Sequence, residues 1–144
     1  MNDETAGGIH WSFWVVGAFA LVWNGLGSVN YLAQLNADMV ATLPETHRAI
    51  IVGRPAWATG GFAIGVFGGA IGGLLLLLRK STANYFFVAS LVGIVMTMIH
   101  TISIANSTIE FSASEIFIMI LMPLLVAVFL IWYARRARNQ GWIG

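Results

Sequence analysis

The charged residues of this chain lie in five short zones, and four long stretches between the zones carry no charge. The charge-free stretches cover residues 5–37, 55–78, 81–109 and 116–134. Each meets or nearly meets the ~20 residues that a helix needs to cross the hydrocarbon of a bilayer. Only 9% of the residues are charged, whereas soluble domains have about 25%. The pattern predicts an all-α integral membrane four-helix bundle, one membrane domain over residues 1–144 with spans at about 11–35, 56–78, 83–106 and 114–134.

Lysine and arginine are distributed unevenly between the two ends of the predicted bundle. Four spans place both termini and the link at residues 79–80 on the same side of the membrane. The basic residues number five on that side and two on the other: Arg79, Lys80, Arg135, Arg136 and Arg138, against Arg48 and Arg54. Because basic residues near span ends favour the cytoplasm, we expect both termini to be cytoplasmic. The first span has no basic leader and is too long for a cleavable signal peptide.

The link between the first two spans is the only sizeable loop, and its sequence predicts a short interfacial helix. Thr42 and Glu45 have the spacing of a capping box, and a helix through Val52 is expected to lie along the membrane surface. Ser112 and Glu115 have the same spacing before the fourth span. The fourth span also contains a proline near its middle, Pro123, which removes a backbone donor and should bend the helix.

Six glycines in the second span recur at four-residue spacing. They form one row and an adjacent shorter row: Gly61, Gly65, Gly69 and Gly73, then Gly68 and Gly72. Each glycine costs roughly 1 kcal/mol relative to alanine in a soluble helix, but in hydrocarbon the helix persists because its backbone groups must pair. Rows of small residues let another helix approach closely. We therefore predict a helix-packing groove, which contacts either the chain's own bundle or another chain.

Polar side chains in the first and third spans are candidates for a ligand site or a polar core: Asn24, Asn30, Thr97 and His100. Polar groups are costly at membrane depth, so they often mark a functional site. Helical rise places His100 at a depth similar to Asn30, and we expect the two to share a hydrogen bond or a small polar cavity. Asn24 is expected nearer Thr97. The alternative is interhelical hydrogen bonding alone, which contributes about 0.6–2 kcal/mol per contact.

The spans contain little that supports enzymatic chemistry, a cofactor or a metal. The chain has no cysteine, which excludes disulfides and thiolate sites. No nucleophile, phosphate loop or carboxylate pair occurs in the spans, so we expect no catalytic residue. His10 and His100 lie at different depths, so we expect no paired-histidine haem ligation. The acidic residues on the outer side with His47, namely Glu45, Glu110 and Glu115, could form a weak surface metal site, but we expect them to be solvated charges and expect no metal. The basic tail at residues 135–138 is too short to predict nucleic-acid binding, and we expect it to contact anionic lipid heads.

Several segments, taken in their order and spacing, carry a resemblance to a known family. They are Trp23-Asn24-Gly25-Leu26-Gly27 with Tyr31-Leu32, Pro55-Ala56-Trp57-Ala58-Thr59, residues 74–80, Met98-Ile99-His100, Trp132-Tyr133-Ala134-Arg135 and Gly141-Trp142-Ile143. Together they resemble a family of small bacterial inner-membrane proteins with four transmembrane helices, many carrying the automatic label "sugar transporter". The resemblance covers nearly the whole chain and implies this topology in a bacterial inner membrane. It implies no substrate and no set of binding residues.

Three functions follow from these features as hypotheses. The glycine groove favours an accessory or assembly subunit, or a homo-oligomer, which acts by helix packing against a membrane protein partner or its own copies. The polar residues favour a transporter of a small neutral, sugar-like solute along a path lined by Asn24, Asn30 and His100. The third hypothesis is a binder of a hydrophobic ligand such as a quinone, with His100 donating to a carbonyl. In each case we expect contact with membrane lipids.

Overall fold

The chain folds into an all-α bundle in the computed structural model, which describes residues 8–107 and 110–144. Its helices in these ranges are α1 (Trp11–Ala33), α2 (Ala37–Ala41), α3 (Glu45–Ile51), α4 (Ala56–Leu77), α5 (Ala83–Ala105) and α6 (Ala113–Asn139). The helices α1, α4, α5 and α6 are long and apolar enough to cross a membrane. The predicted fold class, an all-α four-helix membrane bundle, is therefore confirmed.

The fourth long helix, α6, begins with the capping box predicted at Ser112 and Glu115. The Ser112 hydroxyl accepts from the Glu115 N–H, and the Glu115 carboxylate accepts from the Ser112 N–H. Residues Phe117–Leu121 then form a π-helical turn, in which the N–H of Met122 donates to the carbonyl of the first residue of the turn. Pro123 follows directly and has no N–H to donate to the carbonyl four residues earlier. The sequence predicted a bend at this proline, and the irregularity found there is a wider helical turn.

Two short helices occupy the loop between α1 and α4, where the sequence predicted one. Asn36 caps α2, because its side-chain oxygen accepts from the backbone N–H groups of Asp38 and Met39. Pro44 is the N-cap of α3 and supplies no side-chain hydrogen bond. The capping box predicted to begin at Thr42 is therefore wrong. Thr42 instead ends α2, and its hydroxyl donates to the carbonyl of Met39.

The four long helices pack in chain order around the bundle. α4 lies between α1 and α5, and α5 also packs against α6. At the end that contains the start of α1 and residues 141–144, which we name the terminal end, Ser12 Oγ and Tyr133 OH join α1 to α6 through a 2.7 Å hydrogen bond. A buried apolar cluster fills this end, and its largest fully buried side chains are Phe13, Leu76, Phe87 and Leu130. The opposite end, which we name the loop end, contains α2 and α3.

Residues 141–144 fold back against the link between α4 and α5. The N–H of Ser81 donates to the Gly144 carbonyl, and the N–H of Gly144 donates to the Arg79 carbonyl. Arg79 has a left-handed φ of 61°, which is uncommon for a residue other than glycine. Its Nε donates to the Trp142 carbonyl at 2.9 Å. These hydrogen bonds close the terminal end over the apolar cluster.

Candidate functional site

The six glycines of the two rows in α4 face two different helices of the same bundle. Those that lie against α5 are Gly61, Gly65, Gly68 and Gly72, and those against α1 are Gly69 and Gly73. A methyl group added to Gly61 would lie 2.8 Å from the backbone oxygen of Gly93, and one added to Gly73 would lie 2.8 Å from the backbone nitrogen of Leu21. These distances are too short for a real side chain, so the backbones themselves approach closely. The contacts of the glycine rows are therefore made within the chain's own bundle.

Gly69 makes room for Asn24, the polar residue near the middle of α1. A methyl group on Gly69 would overlap the Asn24 amide. Asn24 is only 6% exposed, and its Nδ2 donates to the Ala20 carbonyl one turn earlier at 2.9 Å. Thr97, on α5, is also buried, and its carbonyl accepts from the hydroxyl of Thr101. Asn24, Thr97 and Thr101 all border one cavity at the centre of the bundle.

His100 and Asn30 do not share a hydrogen bond, contrary to the expectation from their depth. His100 Nε2 donates to the Ile50 carbonyl at 3.0 Å, and it lies outside the cavity wall. Ile50 is in the last turn of α3, where helix carbonyls have no partner in their own helix. Asn30 instead accepts from Gln34 Nε2 at 3.3 Å, one turn along α1. His100 therefore contacts the loop between α1 and α4, whereas Asn30 borders the cavity.

The cavity has a volume of about 430 Å³ and runs from the middle of the bundle to the loop end. By helical rise, Asn24 and Thr97 are the polar lining residues nearest mid-depth, whereas Thr101, Asn30, Gln34, His47 and Arg54 lie towards the loop end. The walls are otherwise largely apolar and include Trp23, Leu26, Phe62, Val66, Ile94 and Met98. From Asn24 to Gln34 the wall extends about 15 Å along α1, by helical rise. A mostly apolar wall with polar groups concentrated towards one end suits a molecule with an apolar body and a polar head.

We infer that the cavity opens at the side of the bundle, between α1 and α6, because exposed side chains of both helices border it. Leu26 on α1 and Ile118 on α6 border it and are 66% and 62% exposed. Ile118 and Met119 belong to the π-helical turn, and Pro123 borders the cavity directly after it. A π-helical turn widens a helix locally and is frequent at functional sites. The irregular part of α6 is therefore the part that lines the opening.

Arg54 lies at the loop end of the cavity, between α3 and α4. Its Nη2 donates to Gln34 Oε1 at 3.1 Å, and its Nε donates to the Thr59 hydroxyl at 3.2 Å. The guanidinium also stands over the Phe62 ring, 5.2 Å from its centroid. Burial lowers the pKa of Arg54, an effect that Tyr31 partly offsets. Arginine nevertheless stays protonated in proteins, so this end of the cavity keeps a positive charge.

Gln34 links Arg54 to Asn30. Its side-chain oxygen accepts from Arg54 and its amide nitrogen donates to Asn30, so three polar side chains form a chain of hydrogen bonds along the cavity wall. Asn30 was predicted as a site residue from the sequence, but its partners were not. The sequence did contain one indication of Arg54: it stands just before the apolar stretch 55–78, at the end of the bundle that has few basic residues.

Known proteins and metal-binding patterns give no further assignment for the site. In residues 8–107 and 110–144, no three His, Asp or Glu side chains come close enough together to hold a metal ion. Scans against protein-family models, curated proteins and solved structures found no match to this chain. The cavity is therefore the feature of the molecule that bears on its function.

Proposed function

We propose that this chain binds a small amphipathic molecule of the bilayer in the cavity between α1 and α6. The observation that carries the proposal is that the exposed side chains of Leu26 on α1 and Ile118 on α6 both border the cavity. A molecule dissolved in the membrane can enter there without crossing water. Ligand sites are typically cavities of about 300–1,000 Å³ with apolar walls and a few placed polar groups. Quinones and single-chain lipids both belong to this class of ligand.

The accessory-subunit and homo-oligomer hypotheses lose the feature that motivated them. Their basis was a glycine groove free to receive a helix from another chain. Gly65 and Gly69, the centre of the groove, lie against Ile94 of α5 and Asn24 of α1. The glycine pattern is therefore explained by packing within the bundle, and it requires no second chain.

The solute-transporter hypothesis uses the same cavity but also needs a path to the terminal end. The side chains beyond Asn24 in that direction include Phe13, Leu76 and Leu130, which are fully buried in one apolar cluster. A neutral polar solute would have to displace this packing. Because this apolar cluster closes the terminal end, the cavity is better suited to binding a molecule than to letting one pass through.

A tryptophan at the opening tests the proposal. Leu26→Trp should obstruct the opening, whereas Val29→Trp is a matched control: Val29 is on the same helix, is 64% exposed and does not border the cavity. We expect protein purified in a mild detergent to retain a defined quinone or lipid species, detected by mass spectrometry of the extract. Leu26→Trp should deplete this species and Val29→Trp should not.

Other results would contradict the proposal. If the wild-type protein retains no enriched species, or if both variants retain the same amount, the cavity does not hold a membrane ligand. Uptake of a neutral sugar into proteoliposomes that is lost in Leu26→Trp would support the transporter hypothesis instead.

A further inference from the structure

The permanent cation of the cavity has neutral partners among the described residues. The guanidinium of Arg54 contacts the Gln34 amide, the Thr59 hydroxyl and the Phe62 ring. Two of its five N–H groups are used in these bonds, which leaves enough donors for a two-point contact with an oxyanion. The Arg54 side chain is half-buried, and partial removal of a cation from water without a counter-charge is costly. The site therefore has an unbalanced positive charge beside an open cavity.

Within residues 8–107 and 110–144, no carboxylate lies close enough to Arg54 to balance its charge. The carboxylate of Glu115 accepts from the Thr46 hydroxyl and from the Ser112 N–H. Its hydrogen bonds are therefore made to α3 and to the N-cap of α6. Arg48, the other arginine at the loop end, differs from Arg54 in exposure, position and contacts. Its side chain is exposed, does not border the cavity and donates to the Ala41 carbonyl at 3.5 Å.

We infer that the bound amphipath has an acidic headgroup, a carboxylate or a phosphate, which pairs with Arg54. The inference rests on the proposed function and names the chemistry of its ligand. Gln34 holds the guanidinium at the cavity wall, and Asn30 is placed beside it through Gln34 to donate from its amide nitrogen. The apolar part of the ligand extends from this end towards Asn24. A neutral quinone would leave the arginine unpaired.

The test compares headgroups on one apolar chain. The protein is placed in nanodiscs of zwitterionic phosphatidylcholine, and three probes of equal chain length are titrated: a fatty acid, a lysophosphatidic acid and a fatty alcohol. We expect the wild-type protein to bind at least one acidic probe about tenfold or more tightly than the alcohol, because an ionised headgroup accepts charge-assisted hydrogen bonds from the guanidinium. The two acids distinguish carboxylate from phosphate as the preferred headgroup.

Arg54→Gln should reduce the affinity for the acid to that for the alcohol. Arg48→Gln removes the same charge at the same end of the bundle and should preserve the preference. Equal binding of acid and alcohol by the wild-type protein would overturn the inference while leaving the proposed function intact, and this comparison does not require a stable variant. Equal losses in the two arginine variants would also overturn it, since they would indicate a general charge effect. Failure of all three probes to bind would contradict the proposed function itself.

Discussion

At the scale of single residues, the glycines of α4 differ in what each one makes room for. Gly69 accommodates a side-chain amide, since a methyl group there would overlap Asn24. At Gly68, one position earlier, the nearest atom to such a methyl group is the Phe86 carbonyl oxygen at 3.5 Å, an ordinary contact distance. Adjacent residues of the same helix therefore have different tolerances for the smallest substitution.

Gly69→Ala should destabilise the bundle, whereas Gly68→Ala should be neutral or slightly stabilising. Overpacking a filled site costs about 1–3 kcal/mol, while alanine is the better helix former by roughly 1 kcal/mol. The resistance of each variant to unfolding by SDS in mixed micelles measures the difference. Equal midpoints for the two variants would contradict the close contact at Gly69.

A double variant identifies the cause of the expected loss at Gly69. In Gly69→Ala with Asn24→Ala, the overlapping amide is absent, so the alanine at position 69 should cost less than it does beside Asn24. Residues in contact commonly show coupling of about 0.5–3 kcal/mol in such cycles. Additive effects of the two substitutions would show that Gly69 is needed for another reason.

At the scale of helices, the position of α3 depends on two side chains from other elements. His100 of α5 donates to the carbonyl of Ile50 in its last turn, and Thr46 in its first turn donates to Glu115 of α6. A seven-residue helix has little stability of its own, so such contacts decide where it lies. His47, Ile50 and Ile51 of α3 border the cavity, and the loop thus completes the site.

His100→Leu should loosen α3 without removing the apolar packing of the side chain. The Ile50 carbonyl would lose its donor, and an unsatisfied buried polar group costs about 1–3 kcal/mol. We expect faster amide hydrogen exchange over residues 45–51. Thr101→Val is the control, because the Thr101 hydroxyl bonds to its own helix and should leave α3 unaffected. Unchanged exchange in His100→Leu would mean that the Ile50 contact does not hold the loop.

The fold could be predicted from the sequence because its determinants are local, whereas the site could not. Charge-free stretches indicate the spans directly, and the capping box of Ser112 and Glu115 is recognisable because its two residues are only three positions apart. The pairing of Asn30 with His100 was wrong because helical rise gives the depth of a residue but not the direction its side chain faces. The actual partner, the Ile50 carbonyl, depends on how the loop between α1 and α4 folds back, which is set by tertiary contacts.

At the scale of the whole molecule, the bundle is closed at one end and open near the other. The terminal end has the apolar cluster and the folded-back residues 141–144, while the cavity lies towards the loop end. The side of the membrane that faces the loop end therefore decides which leaflet supplies the ligand. The bias of basic residues predicts that the loop end faces away from the cytoplasm.

Single-cysteine labelling tests this orientation cleanly, because the chain has no cysteine of its own. Glu45→Cys places a thiol at the loop end, and Asn139→Cys places one at the terminal end; both positions are exposed. On intact bacterial cells in which the outer membrane admits the reagent, we expect a membrane-impermeant maleimide to label the first variant alone. Permeabilising the inner membrane should then expose the second. The reverse pattern would put Arg54 and the cavity opening in the cytoplasmic half of the bilayer, and an acidic lipid would then be drawn from that leaflet.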